Sequence, residues 1–310
     1  MKQKFLAFLS VALCAGLLFT ACKKSDSSSA STTDAQIAAH SDDESLVAGQ
    51  TDDLTSDANV VVESDTNFSG NYSLISQIVC DANVVVNKDS DPMTMTITYN
   101  GASCSTKRTR TGVVVVSMAK GTQWKTAGAV MTINYQALKI VRSSDNKTIT
   151  LNGSQTLTNV SGGLLAQLSS LHSITHTVTS GNMSISFDNG TERTWSIAKQ
   201  RVYTYDGGVV LSVSGTHTEG SVSNIAEWGI NRFGKPFTTV ISTPLVYKQA
   251  CDFRLTSGVV THTSADYSAI VTFGLDATGV VTVCPGTGHY YYHLEWTRTN
   301  GNHLSILLPY

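Results

Sequence analysis

The chain has 310 residues, of which 41% are hydrophobic and 14% charged, and it carries a formal net charge of −2. So apolar a composition excludes a disordered chain, and so small a charge without a clustered basic stripe excludes nucleic acid as a partner. The length allows one large domain or two smaller ones behind any targeting segment.

The first element is a targeting segment. Lys2 and Lys4 precede an apolar run from Phe5 to Thr20, which is shorter than the ~18–20 residues of a spanning helix and ends in Leu17-Leu18-Phe19-Thr20-Ala21-Cys22. This layout predicts a bacterial lipoprotein signal over 1–21, cleavage before Cys22 and acylation (palmitate and related chains) of that cysteine. Lys23 and Lys24 follow with no aspartate directly after the cysteine, which favours the outer membrane over inner-membrane retention. The lipid anchor is then the membrane attachment, on the periplasmic face or at the cell surface.

Residues 22–65 read as a tether. Serine, threonine, alanine and aspartate dominate, and no aromatic residue lies between Phe19 and Phe68, so the stretch buries too little to order itself unaided. Leu46, Val47, Leu54, Ala58 and Val61 nevertheless recur at helical spacing, which predicts one or two short helices docking on the body of the chain. Asp42, Asp43, Glu44, Asp52, Asp53 and Asp57 lack the Asp-x-Asp-x-Asp-Gly order of a calcium loop and read as a solvated acidic face. Residues 66–310 hold 17 of the 21 Lys and Arg and 13 of the 23 Asp and Glu, a formal +4. Contact between the acidic tether and this basic body is therefore expected.

The body alternates with a period of two. Met93-Met95-Ile97-Tyr99, Met131-Ile133-Tyr135 and Met183-Ile185-Phe187 each place apolar residues on one strand face, with mostly Thr, Ser and Asn on the other. Asn100-Gly101, Asn152-Gly153, Asp188-Asn189-Gly190, Asp206-Gly207-Gly208 and Asn300-Gly301 supply hairpin turns. The fold class is all-β: a large antiparallel sheet or β-sandwich of consecutive hairpins, interrupted by one helical turn over 164–171 after Ser161-Gly162-Gly163. Arg110-Thr111-Gly112-Val113-Val114 and Leu255-Thr256-Ser257-Gly258-Val259-Val260 resemble each other, but no fixed period runs through the chain.

Cys14 leaves with the signal and Cys22 is acylated, which leaves Cys80, Cys104, Cys251 and Cys284. Local pairing, Cys80 with Cys104 and Cys251 with Cys284, is favoured among three possible connectivities, at roughly 3–4 kcal/mol per loop on the chain-entropy model. No Cys-x-x-Cys hook is present, so zinc is disfavoured. His172 and His176, like His289 and His293, are four apart on segments that read as strands, where ~13 Å separates the side chains, too far for one ion. No metal or cofactor is expected.

Catalytic patterns are equally sparse. There is no Gly-x-Ser-x-Gly, and Glu227 beside Trp228 and Glu295 beside Trp296 are the only carboxylates next to an indole. The chain reads as a binding or scaffolding protein rather than an enzyme, with a glycan as the first ligand class, a lipid carrier as the second reading and an envelope glycosidase or other hydrolase as the third. A lipid or an envelope protein completes the set of expected partners. In His289–Trp296, Tyr290, Tyr292, Leu294 and Trp296 share one strand face and read as core. Tyr291, His293 and Glu295 lie on the other, and with Trp228 they are the candidate binding residues; Trp124 and Trp195 are further candidates.

Trp195 with Arg201, Gly215-Thr216, Trp228-Gly229-Ile230-Asn231-Arg232-Phe233-Gly234-Lys235, Pro244-Leu245, Cys251 and Phe273-Gly274-Leu275-Asp276 together resemble a family of Bacteroidota envelope lipoproteins rich in antiparallel hairpins, over roughly Thr94 to Trp296. The resemblance implies envelope location and an all-β fold. Where relatives carry Gly-x-Gly-x-Cys-Asp, this chain has Cys284-Pro285-Gly286, and no catalytic or metal-binding residue carries over.

Overall fold

The computed structural model describes residues 43, 47, 49–69, 79–102, 108–284 and 288–310. The signal peptide, Cys22 and Cys104 lie outside the described residues. After a helix over residues 49–64 (α1) and a short one, Thr66–Ser69 (α2), the chain is antiparallel strand almost throughout. The strands are Ala82–Asn87 (β1), Met93–Asn100 (β2), Arg108–Met118 (β3), Ala129–Arg142 (β4), Thr148–Asn159 (β5), Ser173–Phe187 (β6), Glu192–Tyr205 (β7), Val209–Gly215 (β8), His217–Glu219 (β9), Val222–Ile230 (β10), Pro236–Lys248 (β11), Arg254–Ser264 (β12), Tyr267–Leu275 (β13), Tyr291–Arg298 (β14) and His303–Pro309 (β15). A 3-10 turn, Leu165–Gln167, runs into the four-residue helix Leu168–Leu171 (α3), where the helical interruption was expected.

These fifteen strands form one sheet in near-sequential order, with β1 and β15 at its edges. Only the centre departs from a plain meander. The first part of β7 pairs with β10 (Trp195↔Gly229) and its second part with β8 (Arg201↔Val213). β11 divides in the same way, so β8 and β10 share one slot between two long strands.

The predicted alternation sets the inner face. Met93, Met95, Ile97, Met131, Ile133, Met183 and Ile185 are all buried, and they share one core with Val47, Leu54, Ala58, Val61 and Val62. The segment read as tether thus supplies the helix that the first half of the sheet folds around, and the body begins before residue 66. Only a helix presents positions 47, 54, 58, 61 and 62 on one face, and only that face lets them leave water together. Two tryptophans held as candidate ligand contacts belong here as well: Trp124 and Trp195 are buried. Trp124 Nε1 donates to Asn59 Oδ1 of α1 at 2.9 Å, which satisfies its polar edge inside the core.

Asn152-Gly153, expected as a hairpin turn, lies inside β5 instead. The pairing of β5 with β6 slips between Asn152 and Thr156, and a Cβ on Gly153 (φ +115°) would meet Asn182 O at 2.5 Å. Gly112 and Gly258, the glycines of the two resembling segments, do the same job. Each has positive φ, and a Cβ there would meet the backbone of Ala137–Leu138 or Pro244–Leu245 within 3 Å, next to a slip in the ladder. These are bulge seats: one strand carries an extra residue, its neighbour needs no side chain, and the sheet bends.

Cys251 and Cys284 are bonded, as expected. Cys80 is also in a disulfide, while its expected partner Cys104 lies outside the described residues. Among the described residues no helix is long and apolar enough to cross a membrane.

Candidate functional site

Helix α1 covers the inner face of the first half of the sheet, and beyond its reach that face stays apolar. Ile241 of β11, Val260 of β12, Val271 of β13 and Leu294 of β14 sit on consecutive strands and line a cavity of about 310 Å³. Register explains the alignment: Val271 lies opposite Val260 on one side and Leu294 on the other. The same inner face runs out to the edge of the sheet, where Ile306 lies opposite Leu294 and remains 38% exposed. Tyr310 bounds the far end; its hydroxyl donates to Leu255 O at 2.7 Å and accepts from Gly274 N at 3.1 Å.

The end of the cavity beside α1 is charged. Lys199 Nζ lies 2.8 Å from Glu227 Oε1 and 3.4 Å from Asp52 Oδ1, and Glu227 Oε2 accepts from Arg193 at 3.2 Å. Arg201 donates to Ser56 Oγ of α1 at 2.9 Å and to Tyr203 Oη at 3.1 Å, with Asp52 at 4.0 Å. Burial disfavours the Lys199 ammonium, yet Asp52 and Glu227 more than offset it and hold the lysine charged. Arg201 is kept charged in the same way, burial being overcome by Tyr203 and Asp52. Further along the helix Arg110 bridges Asp57 and Asp81 at 2.7 Å each, Arg108 meets Asp53 at 2.7 Å, and Arg232 clasps Asp43. Asp43, Asp52, Asp53 and Asp57, expected to form a solvated acidic face, are thus ion-pair partners of the basic body, which realises the expected contact between the two.

Two buried histidines border this region. His262 lies 2.8 Å from Thr239 Oγ1, and burial, with Arg193 adding to it, depresses its pKa to about 3. His176 is fully buried against the edges of Trp124 and Tyr203, and among the described residues neither ring nitrogen has a hydrogen-bond partner; burial and then Arg201 lower its pKa to about 3. His176 was expected to be exposed or packed in a hairpin. It is core, because its strand position points inward, whereas His172 is exposed in a left-handed conformation at the end of α3. Among the described residues no group of three His, Cys, Asp or Glu is placed to hold a metal ion.

The sequence-predicted binding residues divide between places. Tyr290 and Trp296 are core, and Tyr292 and Leu294 line the cavity, so the face read as core is partly cavity wall. Tyr291, His293 and Glu295 point to the outer face of β14, where His293 Nε2 lies 2.7 Å from Ser305 Oγ. Trp228 is also on the outer face but on β10, four strand spacings away, about 19 Å across the sheet. Glu227 and Glu295 lie on opposite faces, so they do not flank a common bond. Sequence reading missed Lys199, Tyr247 and the aliphatic wall. The signal was there: Arg193, Trp195, Ile197, Lys199, Arg201 and Tyr203 alternate with a period of two, and cations on an apolar strand face announce a buried ionic network.

No protein-family model, curated protein or solved structure matches this chain. Its site is therefore read from its own geometry.

Proposed function

We propose that this protein is an outer-membrane lipoprotein, acylated at Cys22, that binds its ligand without transforming it, and that the ligand is an amphiphile whose hydrocarbon chain occupies the inner-face cavity. The observation that carries this reading is the cavity itself: about 310 Å³ lined on four consecutive strands by aliphatic side chains, with a charged rim at one end. That volume is at the lower end of small-molecule sites and about twice a cavity that accepts benzene. A wall of this kind rewards methylene burial and offers few partners to the hydroxyls of a sugar, so it favours the lipid reading over the glycan placed first from sequence. The location rests on the signal layout and on the resemblance to Bacteroidota envelope lipoproteins.

A series of n-alkyl carboxylates of increasing length tests the reading by calorimetry. Each methylene buried contributes about 0.8 kcal/mol, so affinity is expected to rise roughly fourfold per added carbon and then to level off once the cavity is filled. Val271→Trp, which places an indole in the cavity, abolishes the trend. A flat series would overturn the proposal.

A further inference from the structure

On the opposite, outer face a second cleft lies where bulges interrupt the ladders of β5, β6 and β7. We infer that this cleft, with Trp228 as its aromatic wall, is a binding site for an uncharged, hydroxyl-rich glycan, distinct from the apolar cavity. Its volume is about 480 Å³, and its lining includes Ser154, Thr156, Thr179, Ser180 and Asn182, with no aspartate, glutamate, lysine or arginine among the described residues. The register explains the opening. Ser180 pairs with Ile197 and Met183 with Trp195, so Gly181 and Asn182 together face the single residue Ser196 and leave the ladder. Hydroxyls and a carboxamide then gather on one rim: Ser180 Oγ donates to Ser154 O at 2.7 Å, and Ser154 Oγ lies 3.4 Å from Asn182 Oδ1.

Trp228 faces the cleft from β10 because Glu227, its neighbour, points inward to Lys199. Its indole is half-buried and stacked on His217, ring centroids 4.1 Å apart at 17°. The stack holds the indole in place before any ligand arrives, which lowers the entropy cost of ordering it on binding. A fixed indole beside several hydroxyls and a carboxamide suits a pyranose ring, whose faces are apolar and whose rim is polar. A lining without aspartate, glutamate, lysine or arginine among the described residues selects a neutral sugar over a uronate or phosphate. Gly181 supplies open space, for a Cβ built there meets nothing within 4 Å.

The test is calorimetric titration of the full chain with three neutral oligosaccharides, cellohexaose, maltohexaose and chitohexaose. At least one is expected to bind. Trp228→Ala is expected to weaken that binding roughly tenfold, the loss typical of truncating an aromatic anchor. Gly181→Trp fills the cleft from a position with room for a side chain, so it abolishes binding while the unfolding temperature stays within a few degrees. Tyr291→Ala, on the same face but outside the cleft, leaves the affinity unchanged. Binding of none of the three, or binding that survives both Trp228→Ala and Gly181→Trp, overturns the inference. Alkyl-chain binding in these variants reports on the inner cavity separately, so failure at one site is distinguishable from failure at the other.

Discussion

Lys199 bears most directly on how the charged end of the cavity holds together. Two carboxylates and two arginines surround an ammonium that has left water, and removing it leaves the buried Glu227 with Arg193 alone and the part-buried Asp52 with Arg201 at 4.0 Å. Breaking one partner of a buried pair typically costs about 3–5 kcal/mol. Lys199→Met is therefore expected to lower urea-unfolding stability by that amount, and a loss under about 1 kcal/mol, the usual size for an exposed pair, would contradict the network.

The buried histidines and Glu63 set the pH dependence, and they oppose each other. His176 and His262 are neutral in the fold, with pKa values near 3 against an ordinary 6.5, so their contribution is full above pH 6.5 and is lost as pH falls toward 3. Burial raises Glu63 from 4.5 to about 7, partly countered by its hydrogen bonds from Leu165 N and Asn59, so its contribution is full below pH 4.5 and lost as pH rises through 7. Among these three groups two protons outweigh one between pH 4.5 and 6.5, so together they are expected to lower stability on acidification by about 1.4 kcal/mol per pH unit, with the Asp53 carboxyl, its pKa raised by burial, opposing them. His176→Leu removes one of those protons and two ring nitrogens that have no hydrogen-bond partner among the described residues. Unfolding curves across this window should lose the slope in the variant; an unchanged slope would rule His176 out as its source.

At the scale of elements, helix α1 decides whether the first half of the sheet has a core. Leu54 and Val61 are buried beneath it, and its acidic residues meet arginines on the strands. Leu54→Ala is expected to cost about 2–5 kcal/mol in chemical denaturation, as other buried leucines do. A fragment starting at residue 66 lacks the helix altogether and is expected to expose its inner face, which dye binding to apolar surface would detect.

This helix also marks how far the sequence could be read. The spacing of Val47, Leu54, Ala58 and Val61 announced it, and the methionine-led strands announced their inward faces, because both patterns are local. What escaped was non-local. Nothing near Asn152-Gly153 distinguishes a hairpin from a bulge seat, since both use a glycine at positive φ and only the approach of Asn182 decides. Likewise the cavity needs Ile241, Val260, Val271 and Leu294 in register on four strands, and each alone reads as an ordinary core residue. Trp228, one of the candidate binding residues, is half-buried on the outer face, and its companions Ser180 and Asn182 are brought to it by a bulge.

For the whole molecule, one sheet carries two chemistries: an apolar inner face that a helix covers in part, and a polar outer face interrupted by a cleft. The central claim is that the uncovered inner face holds a hydrocarbon chain. Native mass spectrometry tests it most directly, using the chain from residue 23 to 310 exported by a generic secretory signal and incubated with envelope extract. The expected result is a non-covalent adduct that denaturation releases as an acyl-chain amphiphile, absent from Val271→Trp. A bare protein mass from the unsubstituted chain, or an adduct that Val271→Trp retains in full, would contradict the account.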